Sequence, residues 1–112
     1  MRRKLAQYFL AALAAMAAVA TLPAQDNAAL EKQGESLLSA NCSRCHATGR
    51  TGASTHPEAP PFRTLSERYP IDGLAEALAE GLSVGHPDMP EFVFEPDQVA
   101  AILAYLKSIQ QR

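Results

Sequence analysis

The chain of 112 residues carries 10 Lys+Arg against 12 Asp+Glu, with three His, two Cys and no Trp. That length allows one small domain with a modest core. The slightly acidic balance argues against nucleic acid as a partner, since phosphate binding is driven by clustered Lys and Arg.

Residues 1–24 read as a secretory signal. Arg2, Arg3 and Lys4 form a basic start, and residues 5–20 are a nearly unbroken, alanine-rich apolar run. The run is shorter than the ~20 residues a membrane-spanning helix needs, so export with cleavage is favoured over an anchor. Two small-residue sites end it, Ala18-Val19-Ala20 and Leu22-Pro23-Ala24. Cleavage is expected after Ala24, with Ala20 the alternative, which leaves residues 25–112 as the folded domain. Losing the three basic residues leaves seven Lys+Arg against twelve Asp+Glu, a formal net of −5. Such a surface is poorly matched to anionic membranes and favours a docking partner with a basic patch.

Along the mature chain the pattern is helical, with no period-2 strand. A first helix is expected over residues 26–41, with Asp26 or Asn27 as N-cap and Leu30, Gly34, Leu37 and Leu38 on one face. It runs into Cys42-Ser43-Arg44-Cys45-His46. A polar loop rich in Gly, Thr and Pro follows over residues 47–61. A helical turn over residues 63–69 stops before Pro70. A third helix over residues 73–80 takes Asp72 as N-cap and Gly81 as its stop. The last helix begins at Pro96, with Asp97 at the positive end of its dipole and Lys107 near the negative end. Its buried stripe is Val99, Ile102, Leu103, Leu106 and Ile109. The expected fold class is a small all-α domain of about four helices with long loops.

The run from Cys42 to His46 is the C-x-x-C-H signature of covalent haem attachment. Two thiols three positions apart can each add to one vinyl of a porphyrin, and the adjacent imidazole can then reach the iron. The competing readings are weaker. A redox dithiol needs a preceding strand, a zinc site needs four ligands, and a disulfide across so tight a loop is strained. No other cysteines are available as staples, so haem is the expected staple of this small core.

His46 leaves the second axial position to be filled. Met89 is the one methionine after the signal, and it lies between Pro87 and Pro90 in a polar loop, a poor place for core filler. The prolines stiffen that loop without making it helical, so Met89 is the expected axial ligand. His86 is the rival, and would give a bis-histidine iron of lower potential. His56, in the Gly/Thr-rich loop, is expected to be solvated.

Taken in order, Gly34 with Leu37-Leu38, the C-x-x-C-H run, Pro60-Pro61-Phe62, Asp88-Met89-Pro90 and Ala104-Tyr105-Leu106 resemble the class I cytochrome c family, especially its small exported bacterial monohaem members. The resemblance implies thioether bonds at Cys42 and Cys45, a proximal ligand at His46 and a distal one at Met89, holding one haem c. It also implies that the Pro60 carbonyl accepts the other ring N–H of His46, with Pro61 as second choice, and that Gly34 and Tyr105 meet where the first and last helices cross. Arg63, Arg68 and Tyr69 are candidate donors to the haem propionates. With only Lys32 and Lys107 in the mature chain, the lysine-ring docking of mitochondrial relatives does not carry over.

The function implied is single-electron transfer in the periplasm by a monomer that meets redox partner proteins, with no catalytic residues of its own. Two alternatives stand beside it. One is a haem-bearing subunit or tethered domain of a larger oxidoreductase. The other is a five-coordinate haem enzyme or gas sensor.

Overall fold

A computed structural model describes residues 26–83 and 85–111, and Ala18 before them. The signal expected over residues 1–24 lies, apart from Ala18, outside the described residues. Among the described residues, three α-helices and two 3-10 turns make up the regular structure, with no strand.

Helix α1 spans Asn27–Cys42, capped by the Asp26 carboxylate, which accepts from the Ala28 N–H at 3.0 Å. This satisfies one of the otherwise orphaned donors of the first turn. The helix extends one residue past its expected end, so the first cysteine of the motif belongs to its last turn. The segment expected as a helical turn at 63–69 is a 3-10 turn over Phe62–Glu67, and it begins directly after Pro61. A second 3-10 turn, Ile71–Leu74, starts after Pro70 and runs into the short helix α2, Ala75–Glu80.

Asp72 is therefore inside the 3-10 turn and not an N-cap. Leu74 holds the cap position of α2 with no side-chain hydrogen bond. The cause is Pro70, whose fixed φ starts the turn a step earlier than the Asp72 signal suggests. Gly81 ends α2 as expected, with φ of 120° and its N–H on the Ala77 carbonyl at 2.9 Å. Only glycine adopts that conformation without strain.

Helix α3, Pro96–Ile109, starts where the proline predicts. Its cap is a reciprocal capping box: the Glu95 side chain accepts from the backbone at Gln98, and the Gln98 Oε1 accepts from the Glu95 N–H at 2.9 Å. Val99, Ile102, Leu106 and Ile109 are buried as expected, and Ala101 and Tyr105 join them. Leu103 is only half-buried against that cluster.

The core forms where α1 and α3 cross. A Cβ on Gly34 would lie 2.1 Å from the Ala101 carbonyl oxygen and 2.8 Å from the Tyr105 Cβ. The two helices thus meet backbone to backbone, and Leu38, Ile102 and Tyr105 pack beside that point. Phe62 and Leu65 from the first 3-10 turn, Ile71, Leu78 and Phe94 complete the cluster. Gln110, just past α3, donates to the Phe62 carbonyl at 2.8 Å and accepts from the Ser66 N–H at 2.8 Å, which fastens the first 3-10 turn to the end of α3.

Because the obstacle at Gly34 is backbone and cannot swing aside, Gly34→Ala is expected to destabilise the protein by about 2–3 kcal/mol or more, the upper range of overpacking costs. Denaturant unfolding of the holoprotein measures this directly, with α3 residues shifting in NMR spectra as the helices are pushed apart.

Candidate haem site

The C-x-x-C-H run is held as a tight turn at the end of α1. Cys45 and His46 both donate their backbone N–H to the Cys42 carbonyl, at 3.2 and 3.0 Å. The loop that follows folds back onto this turn. The His56 N–H donates to the Cys45 carbonyl at 3.2 Å, the Phe62 N–H to the Ala47 carbonyl at 3.0 Å, and the Ala47 N–H to Ser54 Oγ at 3.0 Å. Polar residues here satisfy backbone groups that a periodic element would have paired internally. The loop is also anchored to α3, because Tyr105 donates its hydroxyl to the Thr48 carbonyl at 2.7 Å.

His46 is fixed on two sides. Its Nδ1 lies 2.8 Å from the Pro60 carbonyl oxygen, so the ring donates Nδ1–H there and keeps Nε2 for a ligand. The Phe62 ring packs against it with centroids 4.6 Å apart and planes tilted by 31°. The Pro61 carbonyl is engaged elsewhere, accepting from the Thr64 hydroxyl at 3.0 Å and its N–H at 3.2 Å. Of the double proline, then, Pro60 faces the imidazole.

The two cysteines are not joined in a disulfide, and both are half-buried. Burial pushes the Cys42 thiol up to about 11. Burial thus disfavours the charged thiolate through which a redox dithiol works. A thioether sulfur carries no charge and loses nothing by the same burial. The donor set thus fits a covalently held haem: two thiols, one imidazole with a free Nε2, and a half-buried thioether at Met89.

Met89 sits on the loop between α2 and α3. That loop is closed at its base by the Phe94 N–H on the Leu78 carbonyl at 2.9 Å and the Leu82 N–H on the Phe92 carbonyl at 3.4 Å. At its tip the Met89 N–H donates to the His86 carbonyl at 3.2 Å, so the two prolines frame a turn. The tip is tied to the loop after the motif by two crossed side-chain pairs. His56 Nε2 meets Asp88 Oδ2 at 3.1 Å, and His86 Nε2 meets the Glu58 carboxylate.

His56 was expected to be solvated, yet it is three-quarters buried by this pairing. Asp88 and Glu58 were not expected to contribute, and no local pattern could have matched residues so far apart in sequence. Among the propionate candidates, the Arg63 guanidinium donates to the Gly52 carbonyl at 2.7 Å, while Arg68 and Tyr69 are exposed.

Three helices around a C-x-x-C-H turn whose imidazole is pinned by a proline carbonyl define a c-type cytochrome domain. Residues 29–106 match the sequence model of the family described as cytochrome c oxidase, cbb3-type, subunit III, and the chain belongs to that family. A search of curated proteins and a search of solved structures each gave no match. Membership brings one covalently bound haem c and haem-based electron transfer, as the class I cytochrome c resemblance implied.

The anchoring of the motif loop is testable on its own. Tyr105→Phe removes the donor to Thr48 and is expected to lower unfolding free energy by about 1 kcal/mol, the net worth of one such hydrogen bond. Equilibrium denaturation gives the value, and hydrogen exchange is expected to locate the loosening in residues 47–56.

Proposed function

We propose that the protein is an exported single-electron carrier whose haem c iron is ligated by His46 and Met89, the haem being bonded through Cys42 and Cys45. The observation that carries this reading is the 2.8 Å contact between His46 Nδ1 and the Pro60 carbonyl. It commits the imidazole to one tautomer, makes Nε2 the ligating atom and raises its donor strength.

When bound, haem c supplies an iron that alternates between Fe(III) and Fe(II). The chain's own residues do the rest. His46 and Met89 would hold the iron from the chain's own side chains, and with both ligand places taken no site would be left for a substrate. The turn at Met89 and the hydrogen-bonded loop behind His46 hold the ligands in place through the redox change, so little rearrangement opposes electron transfer. A thioether on one side favours the reduced state relative to two imidazoles, and so raises the potential. The apolar cluster around Phe62 and Leu65 limits water near the ligand and acts in the same direction.

A second reading has support from the family's description, which names a subunit of an oxidase. On that reading the domain passes electrons within a larger assembly and does not diffuse between partners. Among the described residues no helix is long and apolar enough to cross a membrane. Purification from native membranes and periplasm separates the two: a carrier elutes alone, and a subunit co-elutes at fixed stoichiometry.

Oxidised protein is expected to show the weak sulfur-to-iron charge-transfer band in the far red. Met89→Ala is expected to lose it while keeping haem attached, and its potential should fall. A band that persists in that variant would remove Met89 from the iron. For the export step, intact mass of the secreted protein is expected to correspond to a first residue of Gln25, with Thr21 as the alternative. A mass that retains residues 1–24 would instead favour an anchored form.

A further inference from the structure

Two loops meet at the His56–Asp88 and His86–Glu58 pairs, and the donor chemistry there exceeds what a simple strap requires. One ligand atom from each of His56, His86 and Asp88 lies within 4.8 Å of the others. The two imidazole rings stand edge to face, with centroids 5.2 Å apart and planes at 88°. Their Nδ1 atoms face away from the cluster, each accepting a backbone N–H at 3.2 Å, from Glu58 for His56 and from Asp88 for His86. Both Nε2 atoms consequently point at carboxylates. The side chains of His56 and His86 are 25% and 31% exposed, and those of Asp88 and Glu58 are 66% and 67% exposed. The site is thus open to ions, with both rings already turned toward it and carboxylates free to adjust.

We propose that His56, His86 and Asp88, with Glu58 as fourth ligand, form a binding site for a divalent transition-metal ion of the zinc type. Imidazole and carboxylate in equal number suit zinc, whose tetrahedral bonds of 2.0–2.2 Å set neighbouring donor atoms roughly 3.3 Å apart. The His56–Asp88 edge, at 3.1 Å, already has about that length. The His56–His86 edge, within 4.8 Å, closes by rotation of the two imidazoles, and the exposed carboxylates follow.

Coordination places the metal where the Nε2 protons now point. Those protons move to Nδ1 through solvent, and the two long backbone hydrogen bonds are released in exchange for metal bonds. Hard oxygen-preferring cations such as Mg²⁺ gain little from the two nitrogens.

The ion would clamp the Met89 loop to the loop that follows the C-x-x-C-H turn, a role separate from the haem and independent of whether Met89 ligates iron. Zinc also has no redox chemistry of its own, so it leaves the electron balance of the haem untouched.

Isothermal titration of the haem-loaded protein with Zn²⁺ tests the site. One ion per chain with micromolar affinity is expected, weakened at least tenfold in His56→Ala/His86→Ala and in Asp88→Asn. Zn²⁺ is also expected to raise the melting temperature of the parent and not of the double variant, because it binds only the folded loops. Absence of binding in the parent, or equal affinity in a double variant with an unchanged haem spectrum, overturns the site. Should the double variant fail to load haem, His56→Gln carries the comparison, with the same tenfold weakening expected and unchanged affinity overturning the proposal.

Discussion

The contact on which the rest of the structure depends is the backbone approach of α1 to α3 at Gly34. With no side chain there, the Ala101 carbonyl and the Tyr105 side chain can sit where a Cβ would be. That distance sets how deeply α1 sinks against α3, and so where its C-terminal end delivers Cys42. Tyr105 then does two things from one position. Its ring fills the crossing, and its hydroxyl reaches the Thr48 carbonyl two residues beyond the motif. The helix pair and the haem-binding turn are in this way positioned by the same side chain.

From that anchor outward the site is built mainly of backbone hydrogen bonds. The turn at Cys42, the return of the His56 and Phe62 amides onto it, and the Pro60 carbonyl on His46 are all main-chain groups meeting local partners. Such contacts tolerate changes of side chain on the loop but not changes of loop path. Proline at 60 and 61 supports the path by fixing φ and by having no N–H to satisfy. The apolar side of the loop is then closed by Phe62, which packs on both the core and the imidazole.

Much of this could be read from the residues, for reasons that differ from place to place. The start of α3 was legible because Pro96 marks a first helical turn and the apolar stripe behind it has helical period. Its Glu95–Gln98 box was not, since glutamate is an unremarkable residue to find before a proline. The middle segments were placed correctly and typed less well, because short stretches after Pro61 and Pro70 are decided by the proline's φ, not by periodicity. Pro60 could be named only through the cytochrome c resemblance, as nothing in a double proline says which carbonyl faces the histidine. The His56, Glu58, His86 and Asp88 cluster had no local signature. It arises when two irregular loops are laid together, a matter of tertiary placement.

The C-x-x-C-H turn is made of contacts three and four residues apart, whereas the α1–α3 crossing joins Gly34 to Ala101 across most of the domain. In kinetic terms these belong to different stages. Closing the long loop carries an entropy cost that grows with its length, and contacts of that kind form late. The thiols and the imidazole can therefore be presented together on a nascent helical turn before the two ends of the domain have met. Closure of α1 on α3 then completes a domain whose three haem-site residues, Cys42, Cys45 and His46, are already gathered by local contacts.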